Sequence, residues 1–493
     1  MEPRYGNWIG GREDFEGDPH LLKSPADGRE VATVSFADAQ KTRETIDAAR
    51  EALKKWKSSG LEERQGLLLR LAERIQSRSE VYAFLESLNT GKTLRQSSLM
   101  DIPLGIDNLR YFATTKEFSL EREIEHPEYP GTHGLIQYAP MGVVASIAPW
   151  NVPFLMAVWK LGPALLAGNT VVLKPSHYTP LTALELGRDA AAAGFPPGVV
   201  NVVTGYGSVV GDSLIKDPRV NMVSFTGSTK TGRELLSGSS GLKKFTLELG
   251  GKSPNIVFAD ADLEQAARGV LFGIYLNSGQ LCESGSRLIV QASIREPFLS
   301  TLRGLMERMR AGNPMDMETD ISAITTEVQR QKISAMVESG LSAGARVYFQ
   351  KDLASLCPPG GMYYAPTLLT DVRPDMEIAR EEIFGPVLSA MEFTTEADAV
   401  ELANQTDYGL AAGVWTTDLE KATRVASQID AGTVWINEYH MLSAAAPRGG
   451  FKNSGIGREL GLEGIQECTQ TRHIFVNRGR TDLDDVAYGL LLP

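Results

Sequence analysis

NMVSFTGSTKTGRELLSG, residues 221–238, decides the fold class. A short apolar run stops at a glycine-containing turn and a helical stretch follows at once, as where a strand passes into a crossover helix. The alternation continues on both sides. GVVASIAP (142–149), NTVVLKP (169–175) and GVVNVVTG (198–205) are strand-like, with the helical ALELGRDAAAAG (183–194) among them. Strands alternating with helices specify a parallel sheet. A second series runs from NIVFAD (255–260) through SRLIVQ (286–291), EPFLSTLRGLMERM (296–309), GPVLSAMEF (385–393), GVWTTD (413–418) and KATRVASQID (421–430) to GTVWINE (432–438). Two α/β domains are the simplest account.

The Phe118–Tyr138 stretch, charged and β-prone with Pro127 and Pro130 at a turn, fits neither layer. It reads as a protruding hairpin, with TRHIFVN (471–477) as its candidate partner strand. Upstream, a short strand-and-turn region precedes helices. Their core faces are expected at Ile46, Ala49, Leu53 and Trp56, at Leu68, Leu71 and Ile75, and at Val81, Leu85 and Leu88.

A chain of 493 residues exceeds one ordinary core, in keeping with two or three domains. Its 61 acidic against 49 basic residues, net −12, argue against a nucleic-acid partner. The N-terminus MEPRYGNWIGG has neither signal-peptide nor transit-peptide character, so a cytoplasmic location is expected. The apolar tract 141–168 is broken by Pro149, Asn151, Pro153 and Lys160, so no membrane span is expected. Cys282, Cys357 and Cys468 lack C-x-x-C spacing, which argues against a disulfide framework or a metal centre.

Several stretches carry polar groups where open α/β sheets place ligands. In APWNVPF (148–154), Asn151 is either a fixed amide for a developing oxyanion or a residue closing a turn. The turn in SFTGSTKTG suits a pyrophosphate at a helix N-terminus, or is only a turn. Lys174 in VVLKPSHYTP meets a nucleotide or solvent. Glu248 in LELGGKSP (247–254) lies in an apolar run, which raises a carboxyl toward general-base range; the alternative is a salt-bridged strand end. In GQLCESG (279–285), Cys282 is a nucleophile, a metal ligand or a buried thiol. EEIFGPV (381–387) adds a carboxylate and a ring, and APRGGFKNSGIGRELG (446–461) a glycine-rich loop.

In this order, APWN, VVLKPS, SFTGSTKTG, LELGGKSP, GQLC, EEIFGPV and PRGGFKNSGIGRELG resemble the aldehyde dehydrogenase superfamily over nearly the whole chain. The resemblance implies an α/β protein with a Rossmann-like dinucleotide-binding domain (1–117 and 141–250), an α/β catalytic domain (251–468) and a small β oligomerisation element (118–140 and 469–493). It implies oxidation of an aldehyde to its acid with NAD or NADP, in a homodimer or homotetramer. Cys282 is then the attacking thiol, Asn151 the oxyanion donor and Glu248 the base for water. Trp150, Lys174, Ser176, His177, Gly207, Gly211, Phe225, Gly227, Ser228, Leu249, Glu382 and Phe384 are the expected cofactor contacts, with Glu382 at the nicotinamide ribose and Phe384 beside the ring.

Two departures matter. His177 stands where NAD-specific relatives often carry Glu, which opens the way to NADP. Val152 and Arg448 replace frequent aromatics in the expected substrate tunnel, beside Trp159, Leu276 and Leu281. Arg448 either clamps an anionic substrate end or pairs with a carboxylate. Glu283 is expected to turn away from the thiol, because adjacent residues in an extended loop point apart. Three rival functions exist: a CoA-acylating relative, usually without the base; a cysteine hydrolase, which needs an activating histidine; and a silent NAD-binding protein.

Overall fold

The computed structural model describes residues 3–353, 356–477 and 490–491. Met222–Thr226 pairs parallel with Val143–Ile147 on one side and Lys244–Glu248 on the other. Val143–Ile147 pairs in turn with Thr170–Lys174, and that strand with Val200–Val202, again parallel. The chain thus builds outward from Val143–Ile147 to one side, then returns to build the other. Where the order reverses, between Val143–Ile147 and Met222–Thr226, a crevice opens at the carboxyl ends of the strands. Short antiparallel strands at Asn7–Ile9, Arg12–Asp14 and Gly455–Ile456 extend this sheet.

The Pro153–Leu166 helix is buried along its whole length, packed among the sheet and the Leu61–Ser77 and Ile102–Thr114 helices. Each large apolar side chain held there contributes about 1.5–3 kcal/mol. Lys160 is the charged exception in that helix.

Helical periodicity misplaces one residue of the third face: Leu85 and Leu88 pack against the core, and Val81 does not. In Ser79–Thr90, Val81 is exposed while Tyr82, Ala83 and Glu86 are buried. The Glu86 carboxylate accepts from Lys92 Nζ at 3.4 Å, Thr182 Oγ1 at 2.9 Å and the Phe154 N–H at 3.4 Å. Lys92 also meets Asp101 at 2.5 Å. A satisfied polar network thus holds a buried position, Glu86, that the apolar pattern does not mark.

The second sheet has the order Arg346–Gln350, Thr367–Thr370, Val387–Phe393, Arg287–Gln291, Pro254–Val257, Ala411–Trp415, Thr433–Ile436. All neighbours are parallel except the first pair. Cys282 and Glu382 sit in the segments entering Arg287–Gln291 and Val387–Phe393, at the amino ends of those strands. A third sheet stands apart: Thr132–Pro140 pairs antiparallel with Glu121–Glu125 and, from Thr469↔Pro140 to Asn477↔Thr132, with Thr469–Asn477. Of the segment 469–493, residues 478–489 and 492–493 lie outside the described residues, as do 1–2 and 354–355 of the two α/β units. Among the described residues, no helix is long and apolar enough to cross a membrane.

Candidate active site

The amino ends of the second sheet face the carboxyl-end crevice of the first across a cavity of about 420 Å³. Asn151, Glu248 and Cys282 all line it. The segment Asn277–Gly279, just before Cys282, is strained. Asn277, Ser278 and Gly279 occupy the left-handed region in succession, with φ of 50°, 50° and 71°. Such strain persists only where surroundings over-determine it. Here Gln280 does so: its amide donates to Asn277 O at 2.9 Å and Ala323 O at 3.0 Å, and its Oε1 accepts the Thr325 N–H at 2.9 Å. Ser278 Oγ is tied to Ser322 O at 2.7 Å. Asn151 joins this frame, its Nδ2 donating to Gln280 O at 2.7 Å. An amide nitrogen carries two hydrogens, so one remains for another acceptor.

Desolvation pushes the Cys282 thiol up to about 12, with Arg448 opposing and Glu382 and Glu248 reinforcing. Glu248 ends the Lys244–Glu248 strand, and burial followed by the charge of Glu459 raises its carboxyl well above the usual range. Behind it, Lys160 Nζ lies 2.6 Å from Glu459 Oε1, 2.8 Å from Thr226 Oγ1 and 3.1 Å from Ser224 Oγ. The sequence singled out Lys160 only as an interruption of an apolar tract; a charge inside a helix buried all round was the available signal.

The other half of the cavity is built for a dinucleotide. Lys174, at the carboxyl end of its strand, is buried and lowered to about 8 by desolvation, and Nζ bonds the Pro175 carbonyl at 3.0 Å. An ammonium has three donors, so it can take further acceptors. Ser228 caps the Thr229–Gly238 helix through Thr231 N at 3.2 Å, leaving that N-terminus at the crevice mouth. A side chain at Gly227 would meet the Phe225 ring at 2.4 Å, so glycine keeps the backbone in reach of a ligand. Glu382 is held by the Gly251 N–H at 3.0 Å and raised by burial. Phe384, at φ 58°, stands edge-to-face on Trp150 with centroids 5.2 Å apart. Ser176, His177, Gly207 and Leu249 complete this wall; Gly211, one π-turn past Gly207, does not line the cavity. Buried amine, bare backbone, helix N-terminus and carboxylate form a donor and acceptor set that fits a nicotinamide dinucleotide.

Val152, Trp159, Leu276 and Leu281 line the remaining arm, joined by Met156 and Leu442, which sequence reading missed for lack of a motif. Glu283 and Arg448 line it too, and they pair with each other. Of the two alternatives for Arg448, the structure contains the carboxylate partner.

The Aldehyde dehydrogenase family model matches residues 16–474. The chain belongs to that family. It is an NAD(P)-dependent aldehyde dehydrogenase, an oxidoreductase. Betaine aldehyde dehydrogenase of Bacillus subtilis (strain 168) is 41% identical over 481 residues, 96% of each chain. Retinal dehydrogenase 2 of Gallus gallus is 40% identical over 461 residues, 92% of this chain and 88% of its own. The crystal structure of betaine aldehyde dehydrogenase from Staphylococcus aureus in complex with NAD+ superposes with a TM-score of 0.93 at 37% identity, covering 97% of this chain and 96% of the other.

Proposed function

We propose that the protein oxidises an aldehyde to its carboxylic acid through a covalent intermediate on Cys282. The observation that carries this is the meeting of Cys282, Glu248 and Asn151 on one cavity at the switch point of the sheet. The Cys282 thiolate adds to the carbonyl carbon, and the thiohemiacetal oxyanion takes the Asn151 amide and the Cys282 N–H. Collapse of this adduct to a thioester releases hydride, for which NAD or NADP held in the groove would be the acceptor. Lys174 and Ser176 would hold the adenosine half, Gly227 and Ser228 the pyrophosphate, and Glu382 the nicotinamide ribose. Glu248 then takes a proton from water, the hydroxide attacks the thioester carbon, and Cys282 leaves as the thiolate.

Glu248 favours water over coenzyme A as the acyl acceptor. Relatives named for betaine aldehyde and for retinal occur at nearly equal identity, so identity does not choose the aldehyde. Glu121–Glu125 and Thr469–Asn477 are the outer strands of the third sheet among the described residues, and this placement supports a homodimer or homotetramer. Three free thiols suit a reducing, cytoplasmic setting. The test follows reduced nicotinamide over an aldehyde panel with each cofactor. Reduction without coenzyme A is expected; reduction that requires it would replace hydrolysis by acyl transfer.

A further inference from the structure

Glu283, the residue after Cys282, is held at three points. Its carbonyl accepts from Tyr439 Oη at 2.8 Å and its Oε1 lies 2.8 Å from His440 Nδ1, while Oε2 meets Arg448 Nη2. Arg448 is fixed as firmly: Nη1 donates to Thr433 Oγ1 at 3.0 Å, the guanidinium lies 5.5 Å over Trp435, and its backbone bridges Glu459. Both side chains are buried, at 6% and 10% exposure, yet both line the cavity holding the thiol. The Arg448 guanidinium and the Glu283 carboxylate are opposite charges in direct contact, so each offsets the other.

A charge carried into a buried arm must be paired there. An anionic tail has Arg448 to turn to, but only by stripping it from Glu283. A cationic tail has Glu283, but only by stripping it from Arg448. Either exchange leaves one buried charge alone. An uncharged tail needs no exchange, and Val152, Met156, Trp159, Leu281 and Leu442 offer it apolar contact.

We infer that Glu283 and Arg448 are specificity-determining residues, a self-neutralising pair in the tunnel wall that selects uncharged aldehydes and rejects those with a charge of either sign at the far end. The inference rests on the catalytic reading above. Its test compares kcat/KM for three aldehydes of matched length: pentanal, succinic semialdehyde and an aldehyde ending in trimethylammonium. The wild-type protein is expected to favour pentanal over both charged probes by at least about tenfold, since an unpaired buried charge is costly. Glu283→Gln, nearly isosteric, frees the guanidinium and should move the ratio toward the semialdehyde alone. Arg448→Gln frees the carboxylate and should move it toward the trimethylammonium probe alone. Equal wild-type ratios, or a charged probe preferred, overturn the inference. So do variants that lose all three activities in parallel, the result of a merely structural pair. Should no aldehyde reduce either cofactor, the catalytic reading itself fails, a result distinct from turnover without discrimination. The wild-type ratio and Glu283→Gln decide the matter even if Arg448→Gln does not fold.

Discussion

Lys160 Nζ lies 2.6 Å from Glu459 Oε1 inside the molecule, and the charge of Glu459 raises the carboxyl of Glu248. A carboxyl serves as a base only when ionised, so the base role proposed for Glu248 needs its charged form. Hydrolysis should therefore rise with pH through a value above the ordinary carboxylate range. In Glu459→Gln the anion is gone and the Lys160 cation stands unpaired; both changes favour ionised Glu248. The rising limb of the pH profile for thioester hydrolysis should move to lower pH. Breaking the buried pair should also cost about 3–5 kcal/mol. Single-turnover acid release across pH checks the first expectation and denaturant unfolding the second; a limb that stays in place shows that Glu459 does not tune the base.

Cys282→Ala should abolish aldehyde oxidation while cofactor binding persists. In the proposed mechanism the thiol forms the covalent bond, whereas the groove assigned to the dinucleotide is lined by Lys174, Gly227, Ser228 and Glu382 on other segments. Titration of NAD or NADP beside a turnover assay separates the two. Appreciable turnover by the variant overturns the covalent mechanism.

Glu248→Gln should release reduced cofactor in a burst close to one equivalent per site and then slow by about 10²–10⁴-fold, the range general-base catalysis supplies. In the proposed mechanism hydride transfer precedes the step that needs the base. A slow trace without a burst would place Glu248 earlier, at deprotonation of a thiol that burial holds near 12.

How far the sequence reaches is visible in these residues. Strand and helix alternation placed Asn151, Lys174, Ser228 and Glu248 near strand ends, because parallel strands and their crossover turns leave a local period. Pairing across the fold leaves none. Glu283 and His440 are 157 positions apart, and no pattern in either segment announces their contact. The same holds for Lys160 with Glu459, 299 positions away. In Ser79–Thr90 the pattern finds Leu85 and Leu88, which pack against the core, but not Glu86, whose burial depends on Lys92 and Thr182. Local periodicity reports burial only where the buried groups are apolar.

His177 bears on cofactor choice. Burial first, then the Lys174 charge, lower its imidazole to about 4, so near neutral pH it carries no charge to repel or attract a 2′-phosphate. His177→Glu puts an anion on that wall. The kcat/KM ratio of NADP to NAD should fall by at least about tenfold, since like charges facing across a site cost several kcal/mol. An unchanged ratio means that position 177 does not reach the ribose.

Gly279 tests whether strain near the nucleophile is functional. Its φ of 71° disfavours any side chain, and a methyl there would lie 2.2 Å from the Gly385 carbonyl oxygen. That oxygen belongs to the backbone between Phe384 and the Val387–Phe393 strand, which cannot yield as a flexible side chain does. Gly279→Ala must therefore shift either the Cys282 loop or the Phe384 turn, at a cost of about 1–3 kcal/mol for the backbone alone. Either shift separates the thiol from the cofactor groove, so kcat should fall more than unfolding free energy predicts. Gly304 is the matched control: it lies within the Arg295–Arg308 helix with nothing within 4 Å of an added methyl. Gly304→Ala should stabilise by about 0.5–1 kcal/mol and leave kcat unchanged. If Gly279→Ala keeps wild-type kcat and stability, the left-handed run from Asn277 to Gly279 is not what positions the thiol.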